Sequence, residues 1–472
     1  MNQTGFKQIS LGLRIAGFTT ASLLLLLASA IYGFSFVIVL LGASVLAVIL
    51  LLPPAAPWLN RRFGGVDFFS PYVIFPVLYS AWYIAASINF VQLPSEMFYG
   101  YFDPIPAWMY GLFAFGLCSY FCGIFLGRLL PIGSSAITRR QIDYAIMQRI
   151  LFILMIVVFI AWAILGIAFG ITILHLDTAN SDRLAHRGAL YQLFTYLGWT
   201  IIIFSPILSW ARGATKRFDW LYIVAIPALT AMLLVSLGAG RSPVAIPLVT
   251  LIIARSFFKK QPLWKLALIG VTIFGLFSTF GYIRGRSSND APEFSLMELA
   301  GIPAAVGPFI DMAADIRFSV AALRDLTKIV PSSVPYQHGA VTLLPLSTFL
   351  PGHQDMSDMV FKQMLGHDFE GSGEPATILG PLYVDFGWIG VFVGMNFYGV
   401  LLSWTYRRMK AQPTSARIIN YAWWLQCCLV GIFSNGFSYV YVILLPAFWA
   451  VLFFIAMQRS YRTIPGQIQL ST

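Results

Sequence analysis

Between Arg149 and His175 the chain runs for 25 residues without a charged side chain. Similar apolar runs recur along most of its length. A bilayer's hydrocarbon core of about 30 Å needs a helix of roughly 17 to 25 apolar residues to cross it. Lipid offers the backbone no hydrogen-bond partner, so such runs form helices or closed barrels, and these lack the alternation of barrel strands. With 58% hydrophobic and 10% charged residues, the chain cannot keep itself soluble as a globular domain.

The expectation is an all-α polytopic membrane protein of about twelve transmembrane helices. They centre near residues 15–32, 34–52, 69–90, 106–127, 150–173, 188–210, 219–238, 243–257, 262–283, 376–404, 418–434 and 437–457. Residues 1–283 then hold the first nine, 284–375 form an extracytoplasmic loop segment, and 376–472 hold the last three and a cytoplasmic tail. The first span runs straight into the second with no small-residue cleavage site, so it is expected to be retained.

Charge orients the bundle. With a cytoplasmic N-terminus, one side collects 21 basic residues against three acids, Asp67, Asp143 and Asp219, and the other keeps nine basic residues and 16 acids. This follows the positive-inside rule and puts both termini in the cytoplasm. The net charge of +11 is therefore topological, and nucleic-acid binding is not expected. Cys118, Cys122, Cys427 and Cys428 fall within apolar spans, as small hydrophobes do.

Helices in a bundle need only short connections, yet residues 284–375 hold three of the five histidines and eleven of the nineteen acids. Chemistry is expected there. Within the segment, Pro308 to Val330 reads as an amphipathic helix, apolar at Phe309, Met312, Ile316, Val320, Leu323 and Leu326 and stopped by Pro331. Asp311 and Asp315, one turn apart, are either its wet face or a carboxylate pair. Farther on, His338, His353, Asp355, Asp358, His367, Asp368, Glu370 and Glu374 lie in an irregular stretch with an apolar anchor of its own at Leu343, Leu344, Leu346, Phe349 and Leu350.

A second signal is Gly238-Ala-Gly240-Arg241-Ser242-Pro243. The glycines end one helix, Ser242 can cap the next, and Pro243 suits its first turn. That next helix has only about 15 apolar residues, roughly 23 Å, so its start is expected to be recessed. Arg241 beside it would present a guanidinium fork and free N–H groups to a phosphate. The plainer alternative is that Arg241 snorkels or pairs with an acid such as Asp385. On the same side, Arg284 and Arg286 leave the ninth span, and Arg183 and Arg187 flank His186. Seven of the nine outward basic residues are Arg, the better residue for bidentate phosphate recognition.

The run Gly371-Ser-Gly-Glu374-Pro-Ala-Thr-Ile-Leu-Gly380-Pro-Leu-Tyr383-Val-Asp385-Phe386-Gly387-Trp388-Ile-Gly390 follows Leu344-Pro345 and Leu350-Pro351-Gly352. With Gly240-Arg241-Ser242 upstream, it resembles the Wzy-type O-antigen polymerases, the oligosaccharide repeat-unit polymerases, over roughly residues 230 to 460. Pro381 stands where an acid is expected after the glycine, so no catalytic role transfers to it. The resemblance implies a GT-C-like glycosyltransferase, metal-independent and without a cofactor. Its substrates would be undecaprenyl-diphosphate-linked glycans at the outer leaflet of a bacterial cytoplasmic (inner) membrane, with membrane lipids and a chain-length regulator protein as partners. Such a reaction needs a base and cations for the leaving diphosphate. The candidates are His338, His353 or Glu374 as base, and Arg241, Arg284, Arg286 and Arg187 for the diphosphate. An O-antigen ligase or other polyprenyl-linked glycosyltransferase would use the same donor site. A transporter would be expected to show paired halves with broken helices near the midplane, and no half-repeat is visible.

Overall fold

In a computed structural model the structure describes residues 67–87, 103–132, 142–169, 181–211, 242–259, 265, 307–347, 357–367, 373–434 and 441–458, with the backbone alone at 162, 165–169, 181–194, 242–245, 307–315, 345, 347 and 458. The expected spans at 15–32, 34–52 and 219–238, and that at 262–283 apart from Lys265, lie outside the described residues. Those residues contain helices and no strand.

In chain order the helices are α1 (Ile74–Ser87), α2 (Ala107–Leu129), α3 (Tyr144–Phe169), α4 (Ser181–Ala211), α5 (Ser242–Phe258), α6 (Gly307–Ile329), α7 (Leu344–Ser347), α8 (Ser357–Leu365), α9 (Leu379–Ala411), α10 (Ser415–Gly431) and α11 (Tyr441–Gln458). By length and composition α2, residues 144–161 of α3, and α9 are sufficient to cross a membrane, and α1 and parts of α4, α5 and α11 form shorter apolar helices. The expected amphipathic helix is α6, displaced by one residue at each end. The helix expected after Arg241 is α5, whose 17 residues rise about 26 Å, still short of a hydrocarbon core of about 30 Å.

The centre of the bundle is the α2–α9 pair. A Cβ added to Gly123 would overlap the carbonyl of Asn396, and one added to Gly399 the carbonyl of Tyr120. Small residues let the two backbones touch, which is how helices associate where lipid removes the hydrophobic drive. Phe115 packs edge-on to Trp388 with centroids 5.3 Å apart, Gly127 meets Val400 and Ser403, and Arg407 reaches Leu130. Contacts that advance together along both chains make α2 and α9 parallel.

α9 is broken. Gly387 has φ 61° and ψ −141°, a left-handed φ that favours glycine. Beyond it Gly390 lies against the carbonyl of Leu382, and Gly394 against the Leu382 side chain. The segment Leu379–Phe386 therefore folds back beside 390–394, and what reads in sequence as one continuous span is a short helical hairpin leading into a long helix.

The two ends of the pair differ in what they gather. At the lower end Lys410 Nζ sits 2.6 Å from Asp67, and Tyr406 Oη donates to the same carboxylate at 2.8 Å. Arg407 Nη1 donates to the carbonyls of Gly127, Arg128 and Leu130, closing the C-terminal turn of α2. At the upper end lie α1's last turn, α6, α8 and the loop before α9.

Candidate functional site

Glu374 stands just before α9. Its backbone N–H donates to Asp358 O at 2.9 Å, and Gly373 passes so close to the Asp358 backbone that a side chain there would collide. This turns the Glu374 side chain inward, where it is 5% exposed. Oε1 lies 2.7 Å from Nδ1 of His367, just past the end of α8, and Oε2 is buried with no hydrogen-bond partner among the described residues. Burial pushes the carboxyl pKa from 4.5 up to about 7. A buried, unsatisfied polar atom costs about 1–3 kcal/mol, which a ligand hydroxyl could relieve.

Three residues on, Thr377 takes a left-handed φ of 57°. Its Oγ1 accepts a hydrogen bond from Tyr83 Oη at 3.0 Å, which fixes the loop to α1, and Tyr83 stacks on Phe113 of α2 at 3.9 Å. Phe361 of α8 is fully buried beside Gly380.

Arg317 and Arg324 of α6 are buried at the same end. Arg317 donates to Ala86 O at 3.2 Å and to Asp103 O at 3.1 Å. Arg324 donates to Asp103 O at 3.0 Å and forms a two-pronged pair with Asp325 through Nε and Nη2. Burial, then the neighbouring Arg324, lowers the Arg317 pKa from its usual value. Arg317 fastens α6 to α1, and both guanidinium groups fasten it to Asp103, ahead of α2.

The break in α9 is clasped by the loop after α6. Gln337 N and His338 N donate to the carbonyls of Val384 and Asp385, each at 3.1 Å. The fully buried Asp385 carboxylate accepts Val341 N at 3.1 Å and Thr342 N at 2.7 Å. Tyr336 Oη abuts Gly387. Non-helical backbone is tolerated at membrane depth when protein satisfies it, as here. His338 itself is exposed, with φ 51°, and its ring stands edge-on to Phe386 at 6.2 Å.

Of the residues selected from sequence, His338 and Glu374 are therefore held by different contacts, one on the α9 break and one on α8. Arg187 lies on the α4 backbone, and Asp311 and Asp315 on that of α6, without described side chains. Arg241, Arg284, Arg286 and His353 lie outside the described residues. Among the described residues no group of three or more His, Cys, Asp or Glu could hold a metal ion.

Residues 67–445 match the family model described as "Putative O-antigen polymerase". The chain belongs to the O-antigen polymerase family. No curated protein and no solved structure matches it. Membership makes this membrane protein a glycosyltransferase-like enzyme with a polymerase role in O-antigen biosynthesis.

In the polymerase, the run from Leu382 to Gly390 has a structural explanation: it is the hairpin, with Gly387 at its turn and Gly390 against its returning strand of chain. Asp385, considered from sequence as a partner for Arg241, has both oxygens engaged by backbone amides. The apolar anchor of the loop is buried Val341, whereas Leu343 and Leu346 are exposed. Sequence reasoning passed over His367 as a site residue, because the loop from Gly366 to Gly373 has no period to relate it to Glu374. It also passed over the burial of Arg317 and Arg324. Their signal was present: two cations seven residues apart on the stripe of Val320 and Leu323.

Proposed function

We propose that the chain polymerises oligosaccharide repeat units carried on undecaprenyl diphosphate into a surface polysaccharide, as a GT-C-like, metal-independent glycosyltransferase. The work is done at the outer leaflet of a bacterial inner membrane. Sidedness is supported by composition and packing together. Arg128, Arg407, Arg408, Lys410 and Arg417, all assigned to the cytoplasm by charge, fall at the end of the bundle that also holds Asp67. Glu374, His367, Arg317 and Arg324 fall at the other. Parallel α2 and α9 agree with the fourth and tenth spans both descending toward the cytoplasm.

The observation that carries the catalytic reading is Glu374: a buried carboxylate with one oxygen held by His367, the other without a hydrogen-bond partner among the described residues, and a pKa raised to about 7. Such a group suits general-base work at pH 7. The acceptor sugar hydroxyl gives its proton to Oε2 as its oxygen bonds to the donor's anomeric carbon. The bond from that carbon to the diphosphate breaks, and the lipid diphosphate leaves with the electron pair. Arg241, Arg284, Arg286 and Arg187 are assigned to that leaving group. Glu374 thus ranks ahead of exposed His338 and of His353 as base.

The test is polymerisation in proteoliposomes loaded with the lipid-linked repeat unit. Glu374→Gln should lose the polymer ladder by about 100-fold or more while still binding the donor lipid. A Gln variant that makes a normal ladder would remove Glu374 from the chemistry, and a single transfer in place of a ladder would indicate a ligase.

A further inference from the structure

From Ile329 to Gln354 the chain has no Lys, Arg, Asp or Glu, although the surrounding segment is rich in acids. Within this uncharged stretch Leu343 is 57% exposed and Leu346 44%. In water this display of apolar surface would be unfavourable. The two leucines do not stand alone. A Cβ at Gly339 would lie 3.6 Å from both Leu343 Cδ1 and Phe386 Cζ. Phe386, Trp388 and Ile389 are themselves exposed, Ile389 by 72%, and Phe392, Val393 and Phe397 continue that face down α9.

Depth can be read from α2. Its 23 residues rise about 34 Å, close to the hydrocarbon core, and exposed Trp108 in its first turn suits the headgroup level. Phe115, which packs on Trp388, lies eight residues into α2, about 12 Å below its start. The α9 break, and the Tyr336 to Leu343 loop clasped to it, sit near that depth, level with acyl chains and below the headgroups.

We propose that residues Tyr336 to Leu346 form a lip immersed in the bilayer, with Leu343 and Leu346 seated among the acyl chains of membrane lipids and continuous with the lipid-facing side of α9. The commitment to bulk lipid comes from three independent observations: the missing charges, the exposed leucines and the recessed break. Such a lip places the site's rim where a lipid-linked substrate can arrive sideways from the membrane. Immersion itself does not rest on which reaction the protein performs.

The test places an environment-sensitive fluorophore on Leu343→Cys, and separately on Leu346→Cys, in full-length protein with the four native cysteines replaced by Ala, reconstituted in vesicles. Lys328→Cys, at a side chain 55% exposed outside the uncharged stretch, is the aqueous reference. Positions 343 and 346 should be quenched several-fold more by lipids bearing an acyl-chain nitroxide than the reference, and be shielded from iodide. Iodide quenching equal to that at 328 would overturn the proposal, and so would shielding from both quenchers, which would mean cover by protein. Because the readout is depth, its failure leaves Glu374's role intact, and a fully active Glu374→Gln variant would leave the lip intact. Should one cysteine variant fail to fold, the other gives the same reading.

Discussion

The two ends of the α2–α9 pair are built from similar residue types and finished in opposite ways. At the Asp67 end the charges are answered: Lys410 and Tyr406 share Asp67, Arg407 takes three carbonyls, Arg417 takes Arg408 O, and Arg128 donates to Tyr72 and lies over its ring at 4.3 Å. Helix C-termini leave carbonyls without partners, and cations there satisfy both the hydrogen bonds and the dipole. At the Glu374 end the clasp satisfies the backbone at Val384 and Asp385, but among the described residues one Glu374 carboxylate oxygen has no partner. A saturated end anchors; an end with a single unsatisfied, buried, titratable atom is prepared for a ligand.

The contrast can be broken most forcefully by exchanging carboxylates for amides at both ends. Glu374→Gln should lower polymer formation by about 100-fold or more, whereas Asp67→Asn should leave the rate within about two-fold, since a partly exposed pair contributes about 1 kcal/mol or less and only to stability. Equal losses in the reconstituted assay would erase the distinction. Next in size is the seam joining the ends. Gly123→Val drives a branched side chain into the carbonyl of Asn396 and should destabilise by about 3 kcal/mol, read as a lower thermal midpoint in detergent.

Asp385→Asn sharpens the comparison from within the upper end. The amide keeps one acceptor oxygen for two backbone donors and turns an N–H₂ toward the other, at a cost of about 1–3 kcal/mol. It should loosen the clasp, visible as faster amide exchange at Val341 and Thr342, with donor binding retained. Smallest is Lys410→Met, which removes an ion pair half open to solvent; the stability change should be about 0.5 kcal/mol and the rate unaltered.

How much of this was legible in the sequence varies with the physics behind each element. Apolar runs and the 3.6-residue period placed α2 and α6 to within one or two residues, because membrane thickness and amphipathicity dominate there. α1 begins five residues later than its apolar run, and α3 begins six residues earlier than expected. The break in α9 was hidden, since Gly387 sits in a run of hydropathy long enough for one span, interrupted by no charge but Asp385, and glycine alone does not distinguish a left-handed turn from a close helix contact. The Gly123 and Gly127 spacing on α2 did carry a readable helix-contact signal. Glu374 was among the sequence candidates; its partner His367 was not chosen, because their meeting depends on how α8 packs rather than on any spacing.

The central claim is that Glu374 must ionise to act. Its folded-state pKa is raised to about 7, so the fraction able to accept a proton falls roughly tenfold per pH unit below that value and saturates above it. The direct measurement is the polymerisation rate at saturating lipid-linked substrate from pH 5.5 to 8.5. A rate that climbs through a midpoint near 7 and then levels is the predicted result. A rate constant across that range would contradict the account, because no group titrating near neutrality would then be supplying the base.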